Sequence, residues 1–150
     1  MNSGTLIIGI DLKDNNSNLF EKAVKFAHKL ESSITLVHAI EYLPYFPYLP
    51  YDEEKYDEFA YAEIEKKMAE LERKIISLGG NIRKSIVDKG KTYEVLSKTA
   101  DKLNAKAILV GVGQNYLFDN LIGSTTEKVS RLAKQKVIIV NDKIETKVEE

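Results

Sequence analysis

The 150-residue chain contains no cysteine, and its only three prolines crowd into positions 44, 47 and 50. Without cysteine there is no disulfide, no thiolate metal site and no cysteine nucleophile. An excess of charge of one sign is also missing, since 22 basic residues face 23 acidic ones for a net charge of −1. Nucleic-acid grooves and anionic membrane surfaces select for a basic surplus, so neither partner is expected. Long apolar runs are absent near the N-terminus: Leu6 to Ile10 is apolar for only five residues before Asp11. That is too short for a signal-peptide core or a membrane span, and the expected location is cytoplasmic.

What is present is a globular composition, 43% hydrophobic and 30% charged. It fits one domain over residues 1–140 with a charged tail at 141–150. Near-continuous apolar runs at Leu6–Ile10, Ile34–Ala39 and Ala107–Val110 read as strands buried on both faces. Ile82–Val87 alternates apolar and polar, as a strand nearer a sheet edge does, and Lys136–Val140 closes the series. Between them lie helical periods. The first is capped by Ser17 and carries Leu19, Ala23, Phe26, Ala27 and Leu30. A long charged helix over 53–78 has a stripe of Phe59, Ala62, Met68 or Ala69, Leu71, Ile75 and Leu78, and ends at Gly79-Gly80. A third over 91–103 places Tyr93, Leu96, Ala100 and Leu103 together, and a short fourth covers Ser124–Ala133.

Strands alternating with helices imply an open α/β sheet with parallel pairing through right-handed crossovers. Ligands of such sheets bind beyond the carboxyl ends of the strands, where strand order reverses. The loops after Ile10, Ala39 and Val110 therefore matter most.

The loop after Val110 reads GVGQNYLFDNLIGST. A dinucleotide fingerprint would need glycine at 116, where tyrosine stands, and Gly90-Lys91-Thr92 lacks the P-loop glycine at 85, where serine stands. Ser124 with Glu127 fits a capping box, and the same helix N-terminus can also receive an anion. His28 and His38 have no spaced partner and form no recognisable metal set; His38 reads as a satisfied, half-core side chain. The segment YLPYFPYLPY at 42–51 reads as an extended proline–tyrosine arm, serving as a lid, a docking surface or a stiff connector.

With these pieces in place, residues 5–140 resemble the universal stress protein family. The resemblance rests on Ile7-Ile8-Gly9-Ile10-Asp11, on Leu36-Val37-His38-Ala39, and on Gly113, nine residues, then Gly123-Ser124-Thr125-Thr126-Glu127-Lys128-Val129, with Val137-Ile138-Ile139-Val140 closing. It implies a Rossmann-like five-stranded parallel sheet in the order 3-2-1-4-5 and a homodimer through the last strand, Val137–Val140. It also implies a site for ATP, with or without Mg²⁺. By position, Asp11 and the backbone near Ala39 would hold the adenosine end, and Gly111 and Gly113 would let the chain approach ribose and phosphates. Gly123, Ser124 and Thr125 would receive the phosphates. The chain departs from the family pattern where Gly-x-x-Gly is shortened to Gly-x-Gly. It departs again where residues 114–122 carry Asp119 but no basic side chain, and where Leu12-Lys13 replace the small residues after the first aspartate. Lys13 is a candidate to supply the missing charge.

The function expected from all this is a regulatory protein binding ATP or another adenine nucleotide, with at most slow hydrolysis because no base, metal set or arginine clamp is evident. The alternatives are a dimeric interaction module of the same fold with an empty site, and an enzyme of adenylyl chemistry.

Overall fold

The computed structural model describes residues 4–10, 12, 17–40, 53–112 and 124–141. Within them strands and helices alternate: β1 (Thr5–Gly9), α1 (Ser17–Lys29), β2 (Ser33–Ile40), α2 (Glu53–Ser77), β3 (Ile82–Lys89), α3 (Thr92–Leu103), β4 (Ala107–Val112), α4 (Ser124–Leu132) and β5 (Lys136–Asn141). The strands form one parallel sheet in the order β3-β2-β1-β4-β5. Ile8 of β1 is in register with Leu36 of β2 on one side and Leu109 of β4 on the other. The expected strand order and the edge position of β3 are both observed. β5 runs one residue into the segment read as tail.

The two faces of the sheet explain the unbroken apolar runs. Leu6 and Ile8 point into a layer with Leu19 and Phe20 of α1 and Met68 and Ile75 of α2. Ile7 points the other way, against Val95, Leu96 and Ala100 of α3 and Val129 of α4. A strand covered on both sides cannot alternate, so β1 reads TLIIG rather than in/out. Each fully buried Leu or Ile there contributes about 1.5–3 kcal/mol of transfer free energy.

Two helices bury most of the expected residues but not only those. In α1 the buried positions include Phe20 and Val24, neither of which was assigned to the stripe. In α2 the inward face is Ile64, Met68, Leu71 and Ile75, whereas Ala62 is exposed and Leu78 is 37% exposed. Charged side chains occupy so much of α2 that its few apolar residues admit two phases. Packing against α1 and β3 selects the one through Met68 and Ile75. The side chain of Phe59 lies outside the described residues.

Three helices end in the same way. Beyond α2, the Gly80 amide bonds the Ile75 carbonyl and the Gly79 amide bonds that of Ile76, both at 3.0 Å, with Gly79 at φ +97°. Ser32 to Ala27 with Glu31 to His28 after α1, and Ala105 to Ala100 with Asn104 to Asp101 after α3, repeat the pattern. This is the Schellman closure, whose first residue past the helix is left-handed. Glycine and asparagine tolerate that conformation, but Glu31 sits in it at φ 50° with a Cβ to accommodate. Replacing Glu31 with glycine is expected to raise stability by about 0.5–1 kcal/mol, read as a higher urea midpoint with an unchanged slope.

Candidate functional site

The topology decides where a ligand crevice opens. From β1 the chain crosses through α1 on one face to β2, while from β4 it crosses through α4 on the opposite face to β5. The two connections leave neighbouring strands in opposite directions, which makes the carboxyl ends of β1 and β4 the switch point at which ligands of such sheets bind. Ala39, the penultimate residue of β2 and 9% exposed, faces the α3/α4 side of this edge. Gly111 lies near the end of β4, in register with Val140 and exposed. Ser124 and Thr125 open α4. Asp11, Gly113 and Gly123 lie outside the described residues, as do Lys13, Asp119 and the arm at 42–51.

The two glycines at the ends of β1 and β4 have different reasons to be there. A Cβ on Gly9 would sit 3.1 Å from Leu96 Cδ1, so glycine there lets α3 approach the sheet. A Cβ on Gly111 would meet nothing closer than Leu19 Cδ2 at 3.4 Å, an ordinary contact, in a backbone conformation open to any residue. Packing therefore does not demand glycine at 111. Gly90, tested above as part of a P-loop, instead makes the turn from β3 into α3 at φ +139°.

His38 is half-buried at the same edge, its Nδ1 donating to the Ile10 carbonyl at 3.0 Å. A carbonyl only accepts, so Nδ1 carries the proton. The Ile10 amide in turn donates to Val37 at 2.9 Å. The residue preceding Asp11 is thus tied to β2 by both its polar groups. His38 is the satisfied histidine that its sequence setting suggests, and it also fixes the start of the loop after β1.

Two lysines that the sequence did not mark gather beside α4. Lys91 Nζ lies 6.0 Å and Lys128 Nζ 4.9 Å from the centroid of the Tyr93 ring. Residues 91 and 128 meet only because α3 and α4 pack side by side with both N-termini at the carboxyl edge.

A separate concavity of about 470 Å³ lies between α2 and β3. There the Ser85 hydroxyl donates to Glu72, and the Tyr61 hydroxyl donates to the Val87 carbonyl at 3.1 Å. Glu65 and Glu72 outweigh Lys84 along its wall, which is the wrong charge for a phosphate ligand. Among the described residues no group of three or more His, Asp or Glu could hold a metal ion. Nor is any described helix long and apolar enough to cross a membrane.

The molecule is therefore an open, doubly wound α/β protein with a topological switch point between β1 and β4. Comparison with known proteins narrows this class. The family model of the universal stress proteins matches residues 3–141, and the chain belongs to that family. Universal stress protein UspA from Lactobacillus plantarum superposes with a TM-score of 0.73 at 17% identity, covering 93% of this chain and 99% of its own. A universal stress protein from Archaeoglobus fulgidus in complex with dAMP gives 0.65 at 20%, covering 91% and 97%. The crystal structure of a universal stress protein in complex with cAMP gives 0.64 at 23%, covering 92% and 96%. Among curated proteins, none matches the chain.

Proposed function

We propose that this protein is a regulatory nucleotide-binding protein that takes ATP or a related adenine nucleotide into the cleft beyond β1 and β4. The observation that carries the reading is the switch point itself. Adjacent strand ends with diverging crossovers meet there with a helix N-terminus, α4, that favours negative charge. Gly111 supports it, because no packing contact explains the missing side chain. The dAMP and cAMP complexes of similarly folded proteins are consistent with an adenine nucleotide as the ligand class. Asp11 and the backbone at Ala39 would take the adenosine end. Gly111, Gly113, Gly123, Ser124 and Thr125 would take ribose and phosphates, with Mg²⁺ offsetting charge where a triphosphate is bound. Binding and conformational signalling, not turnover, are the expected activity.

The same reading includes a homodimer through β5. Val137, Ile138 and Ile139 are each only half-buried on this outer strand, and nearby Leu132 is 58% exposed. An unguarded apolar edge strand is a template for pairing. Light scattering is expected to give twice the chain mass at micromolar concentration; a monomer mass would remove this part.

The nucleotide reading is tested by calorimetric titration of nucleotide-stripped protein with ATP and AMP, with and without Mg²⁺. Saturable binding is expected, and silence at millimolar nucleotide would refute it. Gly111→Ala should weaken binding by roughly 10–200-fold, the range for a methylene intruding on a fitted pocket, while thermal stability stays close to wild type.

A further inference from the structure

The loop 114–122, which in this reading passes the phosphates, contains no basic side chain, so any positive charge for a polyphosphate must come from elsewhere in the fold. Lys91 and Lys128 are placed to provide it. Both ammonium groups lie within 6.0 Å of one ring centroid, that of Tyr93. They are thus no more than about 11 Å apart, comparable to the screening length at physiological salt. Like charges at that range repel each other weakly, and the ring's negative face only partly compensates.

The position of Lys91 breaks a local rule. Lys91 precedes the first residue of α3 and makes no side-chain capping bond. Lys128 is four residues into α4, about 6 Å along its axis from Ser124. A cation at the positive end of a helix is electrostatically unfavourable; Lys91 stands at that end of α3, and Lys128 lies just past the first turn of α4. Violations of this kind are characteristic of functional sites. Among the described residues neither lysine forms an ion pair, and Glu127, next to Lys128, is engaged by Arg131. Both lysines are exposed, so an anion can reach them.

We infer that Lys91 and Lys128, gathered on Tyr93 beside the N-terminus of α4, are an anion-binding pair for the outer phosphates of the bound nucleotide, so that this site prefers di- and triphosphates to monophosphates. The identity of the ligand rests on the nucleotide reading above; the anion-binding pair does not.

The test is titration of the full chain with AMP, ATP and inorganic tripolyphosphate, for wild type, Lys91→Gln, Lys128→Gln, the double variant, and Lys98→Gln as a control on an exposed α3 lysine. Wild type should bind ATP about tenfold or more tighter than AMP. Each single substitution should weaken ATP by about threefold and the double by roughly tenfold, in line with exposed charge pairs. AMP affinity and the Lys98→Gln control should stay within a factor of two. Equal wild-type affinity for AMP and ATP would overturn the inference while leaving the nucleotide reading intact. So would an unchanged ratio in the double variant, or an equal loss in the Lys98 control. If tripolyphosphate binds through the two lysines but no adenine nucleotide binds, the pair stands and the nucleotide reading falls. If neither binds, both fall.

Discussion

Truncating Phe20 to alanine is expected to lower the free energy of unfolding by about 3–5 kcal/mol, the range for deleting a buried aromatic. Phe20 is fully buried in the layer between α1, α2 and the sheet, in one cluster with Leu6, Ile8, Leu36 and Leu109 of three central strands. Those neighbours are themselves fixed by strand pairing, so the space cannot close cheaply once the ring is gone. The cation of Lys74, 5.9 Å from the ring centroid, loses its aromatic partner as well. A domain of this size has a total stability of about 5–15 kcal/mol, so the variant should be marginal. Urea denaturation followed by circular dichroism reads the effect directly. A loss below about 1.5 kcal/mol would mean that α1 collapses onto the sheet, and that the layer is softer than its burial implies.

Replacing Gly80 with alanine is expected to cost about 1–3 kcal/mol, the penalty for overpacking a tight core. The added methyl would stand 2.8 Å from Ile75 Cγ2, 3.1 Å from Val24 Cγ2 and 3.3 Å from Ile34 Cδ1. Ile75 is fully buried and its Cγ2 branches directly from Cβ, so it has nowhere to swing. Gly79→Ala should also destabilise, by about 1 kcal/mol, for an unrelated reason. Its nearest neighbour would be His28 Cε1 at 3.8 Å, but its φ of +97° strains any residue with a Cβ. Thermal melts of the two single variants should therefore both shift down, with Gly80→Ala the larger. Equal shifts would indicate that Ile75 and Val24 yield more readily than their burial suggests.

That pair of glycines shows how far a sequence reading reaches. Gly79-Gly80 after a long helical period marks a helix end, which is a local event written in adjacent residues. That one glycine serves the turn and the other the packing of α1, α2 and β2 is invisible until three elements meet. The same division holds for the helix faces. The stripe of α1 was legible as a period, but Phe20 and Val24 lie at its border, and only the sheet beneath shows how wide the buried arc is. In α2 the phase itself was undecided until α1 and β3 took one side.

For the candidate site the boundary falls similarly. Ser124 was legible as the start of a helix from its spacing to Glu127, whereas Gly111 and Thr125 entered as candidates through the family resemblance. His38 was legible as a satisfied side chain but not as the anchor of Ile10, which is distant in sequence and adjacent only through the pairing of β1 with β2. The pairing of the lysines left no local signal, since Lys91 precedes α3, Lys128 lies within α4, and they meet only when the two helices pack.

By itself, then, the sequence determined the order and type of the elements, the burial of the central strands on both faces, and the family. The elements and their burial follow from periodicity and from runs of apolar residues, which act over a few neighbours; the family follows from the resemblance of short motifs. The tertiary structure decided which helix faces are buried, why each glycine is glycine, and which charges gather at the carboxyl edge. Those depend on contacts between residues tens of positions apart. Such contacts exist only once right-handed crossovers have laid α1 and α4 on opposite faces of the sheet and packed α4 against α3.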